Sequence, residues 1–438
     1  MIDTSTAGEL ARLVDEARRE CGCTQLAWAI AVDGRPVIGE HHDTVFRIAS
    51  MTKSFTAAAV LALRDDRLLD LDVPVATYAP ELASIVGPDD SPPITLRHLL
   101  SMSSGLATDD PWADRHLDID EAAIDAVYAS GLHFARRVGL GFEYSNLGFA
   151  MIGRVVRRAT GRPLQDHVTE RLLRPLGLTS TGWHPPTGGD VARPHRRVDG
   201  VTALDPLEPL GDGEISPMGG LWSTVRDLAA WIHWLDGGAE GALAMSSRRK
   251  MSRPHTHMGT PVVAGRPAPT AYGLGLHVRD DPDLGRVVSH SGGLPGFGSN
   301  MRWVVGRGVG AIALADVTYA PMWDLTMRLL LATTEPLHAA DEIVVVTRRL
   351  VALLDDWSTT TAATLFADNV ALDIDLDRRA RDARAVIATH GRLSCHAVQP
   401  ASRTSATAEV VADDASRWRL TVQLAPVGGV QTYEFAPW

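Results

Sequence analysis

The sequence predicts a mixed α/β (α+β) protein of two domains, the larger built on an antiparallel sheet with a helical subdomain and the smaller rich in strands. Three observations point there. The 438 residues exceed what one hydrophobic core usually holds, since single cores rarely grow past about 250–300 residues. Strand-like text occurs at both ends of the first 335 residues with helical text between them, so one sheet takes strands from both ends. Around 333–342, TTEPLHAADE mixes turn formers with charges as linkers do, separating residues 1–335 from a second unit, 343–438.

The elements follow in order. The opening MIDTSTAGELARLVDEARRE has the spacing of an amphipathic helix. TQLAWAIAVDG and RPVIGEHH alternate and break at Asp33-Gly34, the signal of two antiparallel strands joined by a tight turn. From Ser50 to about 175, FTAAAVLALRDDRLL, TLRHLLSM and NLGFAMIGRVVRRATG carry apolar residues at three-to-four spacing and read as helices. Residues 176–220, rich in Gly, Pro, Asp and Thr without a sustained period, read as long surface loops of the kind that border binding sites. Thr224 with Asp227 reads as a capping box opening the helix VRDLAAWIHWLDGG. AYGLGLHVRDD, GRVVSHSGG, SNMRWVVGR and GVGAIALADV read as consecutive antiparallel strands, and MWDLTMRLLLATT as a closing helix. Beyond the linker, two helical stretches and the strands TAEVVAD, RWRLTVQLAP and QTYEFAP predict a small α+β or lipocalin-like barrel domain.

Composition narrows the function. A hydrophobic share of 45% with 22% charged residues describes an ordinary globular chain. The net charge of -11 and scattered arginines present no basic stripe to phosphates, so nucleic acid is not an expected partner. Apolar runs such as TAAAVLAL fall short of the roughly 18 residues a membrane helix needs. The opening residues lack the basic-then-apolar order of a secretory signal, so a soluble, cytoplasmic protein without membrane contact is expected. Cys21, Cys23 and Cys395 make neither a disulfide framework nor a four-ligand zinc site, and His255-x-His257 has no third ligand nearby. No metal and no cofactor is expected. Asp114, Asp118 and Asp120 read as a solvated loop and a helix start.

Rare residues locate the chemistry. Of 42 basic residues only Lys53 and Lys250 are lysine. In a chain that uses arginine wherever a plain positive charge suffices, a lysine is a candidate for work that requires giving up a proton. Lys53 lies in FRIASMTKSF, three residues after Ser50, so a helix beginning at Ser50 places hydroxyl and amine on one face. A serine hydroxyl is a weak nucleophile until a neighbouring base takes its proton, and a lysine serves once burial lowers its pKa from about 10.4. In EYSNLG, Tyr144 and Asn146 are two apart and share an edge if the segment is extended. Tyr144 is expected to relay protons, with a neighbouring cation lowering its pKa from about 10, and Asn146 to hold the lysine or a substrate carbonyl. In VVSHSGGLPGFGS a strand presents His290, Ser291, Gly292 and Gly293. The amide N–H of Gly293, with that of Ser50, would form an oxyanion hole. Trp222 in GGLWST reads either as a pocket residue or as core.

In order and together, these groups resemble the S-x-x-K, Y-x-N and K-T-G set of class C β-lactamases, related esterases and D-amino-acid-handling peptidases. The resemblance covers roughly residues 5–335 and extends to text such as LRHLLSMSSGL and PMGGLWST. It implies the β-lactamase and penicillin-binding-protein fold. By carry-over it implies an acylated Ser50, proton transfers shared by Lys53 and Tyr144, an orienting Asn146, and His290 in the catalytic set where that family has a lysine. From the residues themselves, Gly293, Ser291 and Trp222 are expected around the oxyanion and substrate. A histidine is mostly neutral near pH 7 and does not supply the permanent cation that clasps a β-lactam carboxylate, so esterase, D-peptidase or thioesterase chemistry is expected instead.

With its small second domain the chain looks like penicillin-binding-protein-type thioesterases, which offload nonribosomal peptides from carrier-protein thioesters, the peptide's own amine closing a ring. The implied substrate is a peptidyl or small acyl group, and the implied partner a peptidyl carrier protein, with the second domain helping to cover the site or to dock the carrier. A cytosolic D-stereospecific peptidase or carboxylesterase would use the same residues with water. A non-catalytic peptide sensor is disfavoured because every expected catalytic residue is present.

Overall fold

The strand Leu26–Val32 turns back on itself at Asp33 and Gly34, whose φ angles of 47° and 80° are both positive. That two-residue turn matches the twist of paired strands, and Val32 faces Arg35 across it. In the computed structural model, which describes residues 3–206, 210–335, 341–402, 404–426 and 429–438, the chain forms two units, Met1–Thr334 and Glu335–Trp438. The hairpin begins an eight-stranded sheet in the first unit. Its order is Arg35–Glu40, Leu26–Val32, Val309–Ala315, Phe297–Val304, Gly285–Leu294, His277–Asp281, Thr270–Tyr272 and Thr256–Gly259, every neighbour antiparallel.

Strand alternation sends successive side chains into different cores. Leu26, Trp28 and Ile30 pack with Leu10 and Leu13 of the first helix and Met327 and Leu330 of the closing helix. Ala27, Ala29 and Ala31 face the other way, toward Phe55, Trp231 and the helical subdomain. The helix Thr52–Asp65 is buried from Thr52 through Leu63, which explains its nearly continuous apolar text. The helix Asn146–Thr160 starts at Ser145, whose hydroxyl accepts the Gly148 N–H at 3.1 Å, and ends at Gly161 in the left-handed conformation. Both are ordinary helix boundaries.

Three expectations change. AYGLGLHVRDD is a hairpin rather than one strand, with Tyr272 facing His277 across the turn between them. Gly275 has φ 72°, and a Cβ there would lie 2.6 Å from the Lys53 carbonyl oxygen, so close approach to the neighbouring helix forces the bend. Within the expected loops of 176–220, His195–Val198 and Val201–Leu204 pair around Asp199-Gly200. The second unit is α+β and not a barrel: its strands Leu393–Pro400, Ser405–Ala412, Arg417–Leu424 and Val430–Pro437 form an open sheet in sequential order. Ala406, Ala408 and Val410 pack with Leu350 and Leu354 of the helix Asp341–Asp355, so helices cover the apolar face and no closure is needed. Of the linker expected around 333–342, residues 336–340 lie outside the described residues.

Arg154, two turns into the helix that starts at Asn146, is wholly buried. It pairs with Glu81 at 3.1 Å, Asp125 at 2.6 Å and Glu214 at 3.3 Å. Removing the cation takes the central partner from this buried charge cluster, a class of change that costs about 3–5 kcal/mol when the pair is buried. Because Glu81 and Glu214 keep Arg158 and Arg157 as partners and the carboxylates keep some access to water, Arg154→Ala is expected to cost about 3 kcal/mol, at the low end of that range. Urea unfolding of the full chain checks this, and a loss below about 1 kcal/mol would show that water replaces the guanidinium.

Candidate active site

Ser50 sits in the single turn Ala49–Met51 that leads into the helix Thr52–Asp65. Ala49, immediately before it, has φ 48°, a left-handed conformation that an alanine holds only where its surroundings impose it. Ser50 is 7% exposed. Lys53, one turn on, has no solvent exposure. Its Nζ donates to Ser50 Oγ at 2.9 Å, Asn146 Oδ1 at 2.7 Å and the Met218 carbonyl at 3.0 Å.

These partners are not equivalent. Amide and peptide oxygens only accept, so two N–H groups stay committed to Asn146 and Met218, whereas a hydroxyl both donates and accepts. When Lys53 loses a proton, its lone pair has one partner able to donate into it, Ser50. Burial lowers the amine to about 8, and the nearby Asp110, Asp114 and Asp109 push it back up.

Asn146 is held from its other side. Its Nδ2 donates to Asp110 Oδ1 at 2.6 Å and its backbone N–H to Asp109 Oδ1 at 2.7 Å, while Asp109 Oδ2 takes the Leu147 N–H at 2.8 Å. A carboxylate on one side and an ammonium on the other leave the amide one orientation, oxygen toward Lys53.

Tyr144 is half-buried, with Lys53 Nζ 4.9 Å from its ring centre. The expectation of a lowered pKa is corrected. Burial, then Tyr272 and Asp110, hold the phenol well above its ordinary range, and a hydrogen bond with Ser50 only partly offsets them. Tyr144 therefore enters the site as a neutral O–H.

On the third segment, His290 is 1% exposed. Its Nδ1 donates to the Ser291 carbonyl at 2.6 Å, which leaves Nε2 to accept from the Tyr272 hydroxyl at 2.8 Å. Burial, with His277 and Lys53 nearby, lowers its pKa well below 6.5, so the ring is neutral. Both ring nitrogens are thus occupied by groups other than Ser50.

Ser291 points to the opposite face of the sheet, where its hydroxyl accepts from Asn300 Nδ2 at 2.8 Å. Asn300 in turn accepts from Thr326 on the closing helix. Gly292 lies flat against the peptide before Ser50, and a Cβ there would run into the Ile48 carbonyl and the Ser299 hydroxyl. Gly293 follows on a stretch of strand beyond Ser289, the last residue paired with His277–Asp281. Trp222 is core: buried, edge-on to Phe297 at 5.5 Å and under the Arg47 guanidinium at 5.2 Å. It also borders a cavity of about 430 Å³ with Trp183 and Leu210.

Asp114 is the clearest correction. It is buried at 4% rather than solvated, burial raises it to about 7, and Oδ2 accepts from the Tyr319 hydroxyl at 2.6 Å. Asp118 is exposed, and Asp120 caps the helix Glu121–Ala129 as expected. Asp109, Asp110 and Tyr272 were missed, because nothing in the text ties an Asp-Asp pair to an asparagine 36 residues later. Among the described residues, no three His, Cys, Asp or Glu side chains converge as a metal site, and no helix is long and apolar enough to cross a membrane.

Gly292→Ala forces the strand and the Ile48 peptide apart, which should cost about 2 kcal/mol or more and slow acylation of Ser50. Thermal unfolding and the rate of Ser50 labelling by a phosphonate ester test this. A variant matching the parent in both would mean the contact is looser than it stands here.

The Beta-lactamase family matches residues 10–333. Protein Rv1367c of Mycobacterium tuberculosis is 30% identical over 293 residues, 58% of this chain and 71% of that protein. Esterase EstB of Burkholderia gladioli is 35% identical over 165 residues, 34% of this chain and 40% of its own. Unguisins hydrolase ungD' of Aspergillus campestris is 25% identical over 297 residues, 64% and 54% respectively. The chain thus spans about half or less of the latter two proteins. Among solved structures, the octameric penicillin-binding protein homologue from Pyrococcus abyssi superposes with a TM-score of 0.63 at 20% identity, over 98% of this chain and 90% of that one, a likeness of fold. With the family match spanning most of its length, the chain belongs to the Beta-lactamase family of serine hydrolases and acyltransferases.

Proposed function

We propose that the chain transfers acyl groups through an ester on Ser50, with Lys53 as the base and an uncharged acyl carbonyl as substrate. The observation that carries this is the triple commitment of Lys53 Nζ, which leaves Ser50 as its one exchangeable partner. Neutral Lys53 takes the Ser50 proton as Oγ bonds to the carbonyl carbon. Negative charge on the carbonyl oxygen is met by the N–H groups of Ser50 and Gly293. As the bond to the leaving group breaks, that group takes the Tyr144 proton, and the Lys53 ammonium restores it. An acceptor, water or an amine, then retraces these steps to free Ser50.

The neutral, fully bonded His290 supports an ester, thioester or amide substrate over a β-lactam carboxylate. Within that class the proposed specific role is a stand-alone thioesterase that releases or macrocyclises a nonribosomal peptide from a carrier-protein thioester. The match to a hydrolase of unguisins supports this reading. The match to an esterase supports the second reading, a carboxylesterase or D-stereospecific peptidase.

Intact-mass analysis after exposure to a peptidyl thioester, a D-aminoacyl amide and an aryl ester separates them. A cyclic product favours the thioesterase. Hydrolysis of the amide or ester alone sinks it, and an adduct that survives Ser50→Ala refutes the nucleophile. Because the free amine is the active form, kcat/KM should rise with pH and level off above about 8. A flat profile from pH 6 to 9 would remove Lys53 from the base role. Lys53→Arg, which keeps the charge but gives up no proton, should slow acylation by about 10²–10⁴-fold in single-turnover assays.

A further inference from the structure

Tyr319 belongs to the turn that joins the last strand of the sheet to the closing helix, and it leaves that turn in an unusual conformation. Its φ is 54°, which a bulky side chain adopts only under constraint. The constraint is visible. The Tyr319 N–H donates to the Phe297 carbonyl at 3.1 Å, the Thr318 N–H to His195 O at 3.0 Å, and the Ala320 N–H to Val317 O at 3.1 Å. Gly298 has no side chain where Ala320 presses on it.

Held this way, the ring lies against Gly293, where an added Cβ would be 2.6 Å from its Cδ1. The hydroxyl reaches Asp114 Oδ2 at 2.6 Å. Asp114 follows the short helix Asp110–Ala113, which Asp109 and Asp110 fasten to Asn146. The side chain of Tyr319 thus runs from the strand beside Ser50 to the segment that braces Lys53 and Asn146. It remains 51% exposed, as a residue at a rim does, while Asp114 beneath it is 4% exposed.

We infer that Tyr319 and Asp114 form a clasp across the mouth of the Ser50 cleft and set the size of the acyl group admitted. The inference rests on the acyl-serine reading above. An acyl group whose carbonyl oxygen meets the Gly293 N–H places its substituents next to the Tyr319 ring. Small groups fit beside a closed clasp, and bulky ones require the hydroxyl to leave Asp114 and the ring to swing away. Strain held by neighbouring bonds at such a place is characteristic of clamps and switch segments.

The test compares kcat/KM for p-nitrophenyl esters of acetate and of N-benzyloxycarbonyl-D-phenylalanine, using the full chain. Tyr319→Ala is expected to raise the bulky-to-small ratio about tenfold, the discrimination a shaped pocket earns from a few carbon atoms. Tyr319→Phe and Asp114→Ala, which free the ring without removing it, should raise it by less. Asp114→Asn, which keeps an acceptor for the hydroxyl, should restore the parent ratio. A ratio that does not move in Tyr319→Ala overturns the clasp, as does an equal fall for both esters. If the parent forms no Ser50 adduct with either ester, the acyl-serine proposal itself fails, a result distinct from an adduct that forms with an unaltered ratio.

Discussion

Everything at this site depends on keeping one amine out of water. A buried ammonium is costly unless each N–H finds an acceptor, and Lys53 meets that requirement with Ser50 one turn before it and with Asn146 and Met218 from two distant stretches of chain. The same burial brings its pKa toward neutrality. Solvation and reactivity are therefore one constraint. An arginine in this place would keep its charge at any working pH, which is why a chain with 42 basic residues retains lysine here and only once elsewhere.

The acidic residues around this amine do different jobs. Asp109 satisfies two backbone donors at the start of a helix, where a negative charge is favoured by the exposed N–H groups. Asp110 orients the Asn146 amide, and Asp114 receives Tyr319. Their negative field raises the Lys53 pKa against the pull of desolvation, whereas Tyr144 is held neutral by burial first, then by Tyr272 and Asp110. The site thus sets an amine lowered to about 8 against a phenol held well above its ordinary range.

Backbone contact sets the spacing of these groups. Gly292 meets the Ile48 carbonyl just before Ser50, and Gly275 meets the Lys53 carbonyl one turn beyond it. Absent side chains at both positions let strand and hairpin approach the helix from two sides, a spacing less variable than side-chain packing allows. The Asn146 helix is anchored separately through Arg154 and its carboxylates.

Local text carried most of the fold, because periodicity, turn chemistry and capping are local properties: the Asp33-Gly34 hairpin, the Asn146 helix and three of the four strands of the second unit are legible in it, Leu393–Pro400 being the exception. It also carried Ser50 and Lys53, whose three-residue spacing becomes contact as soon as a helix forms, and the scarcity of lysine marked that pair. What tertiary structure alone decided is what distance in the chain conceals. Asp110 joins Asn146 across 36 residues and Tyr319 joins Asp114 across 205. The AYGLGLHVRDD run folds into a hairpin because Gly275 must clear a neighbouring helix. Protonation states belong to the same class: Tyr144 and His290 take theirs from burial and from partners brought in by other segments, and desolvation has no signature in the order of residues.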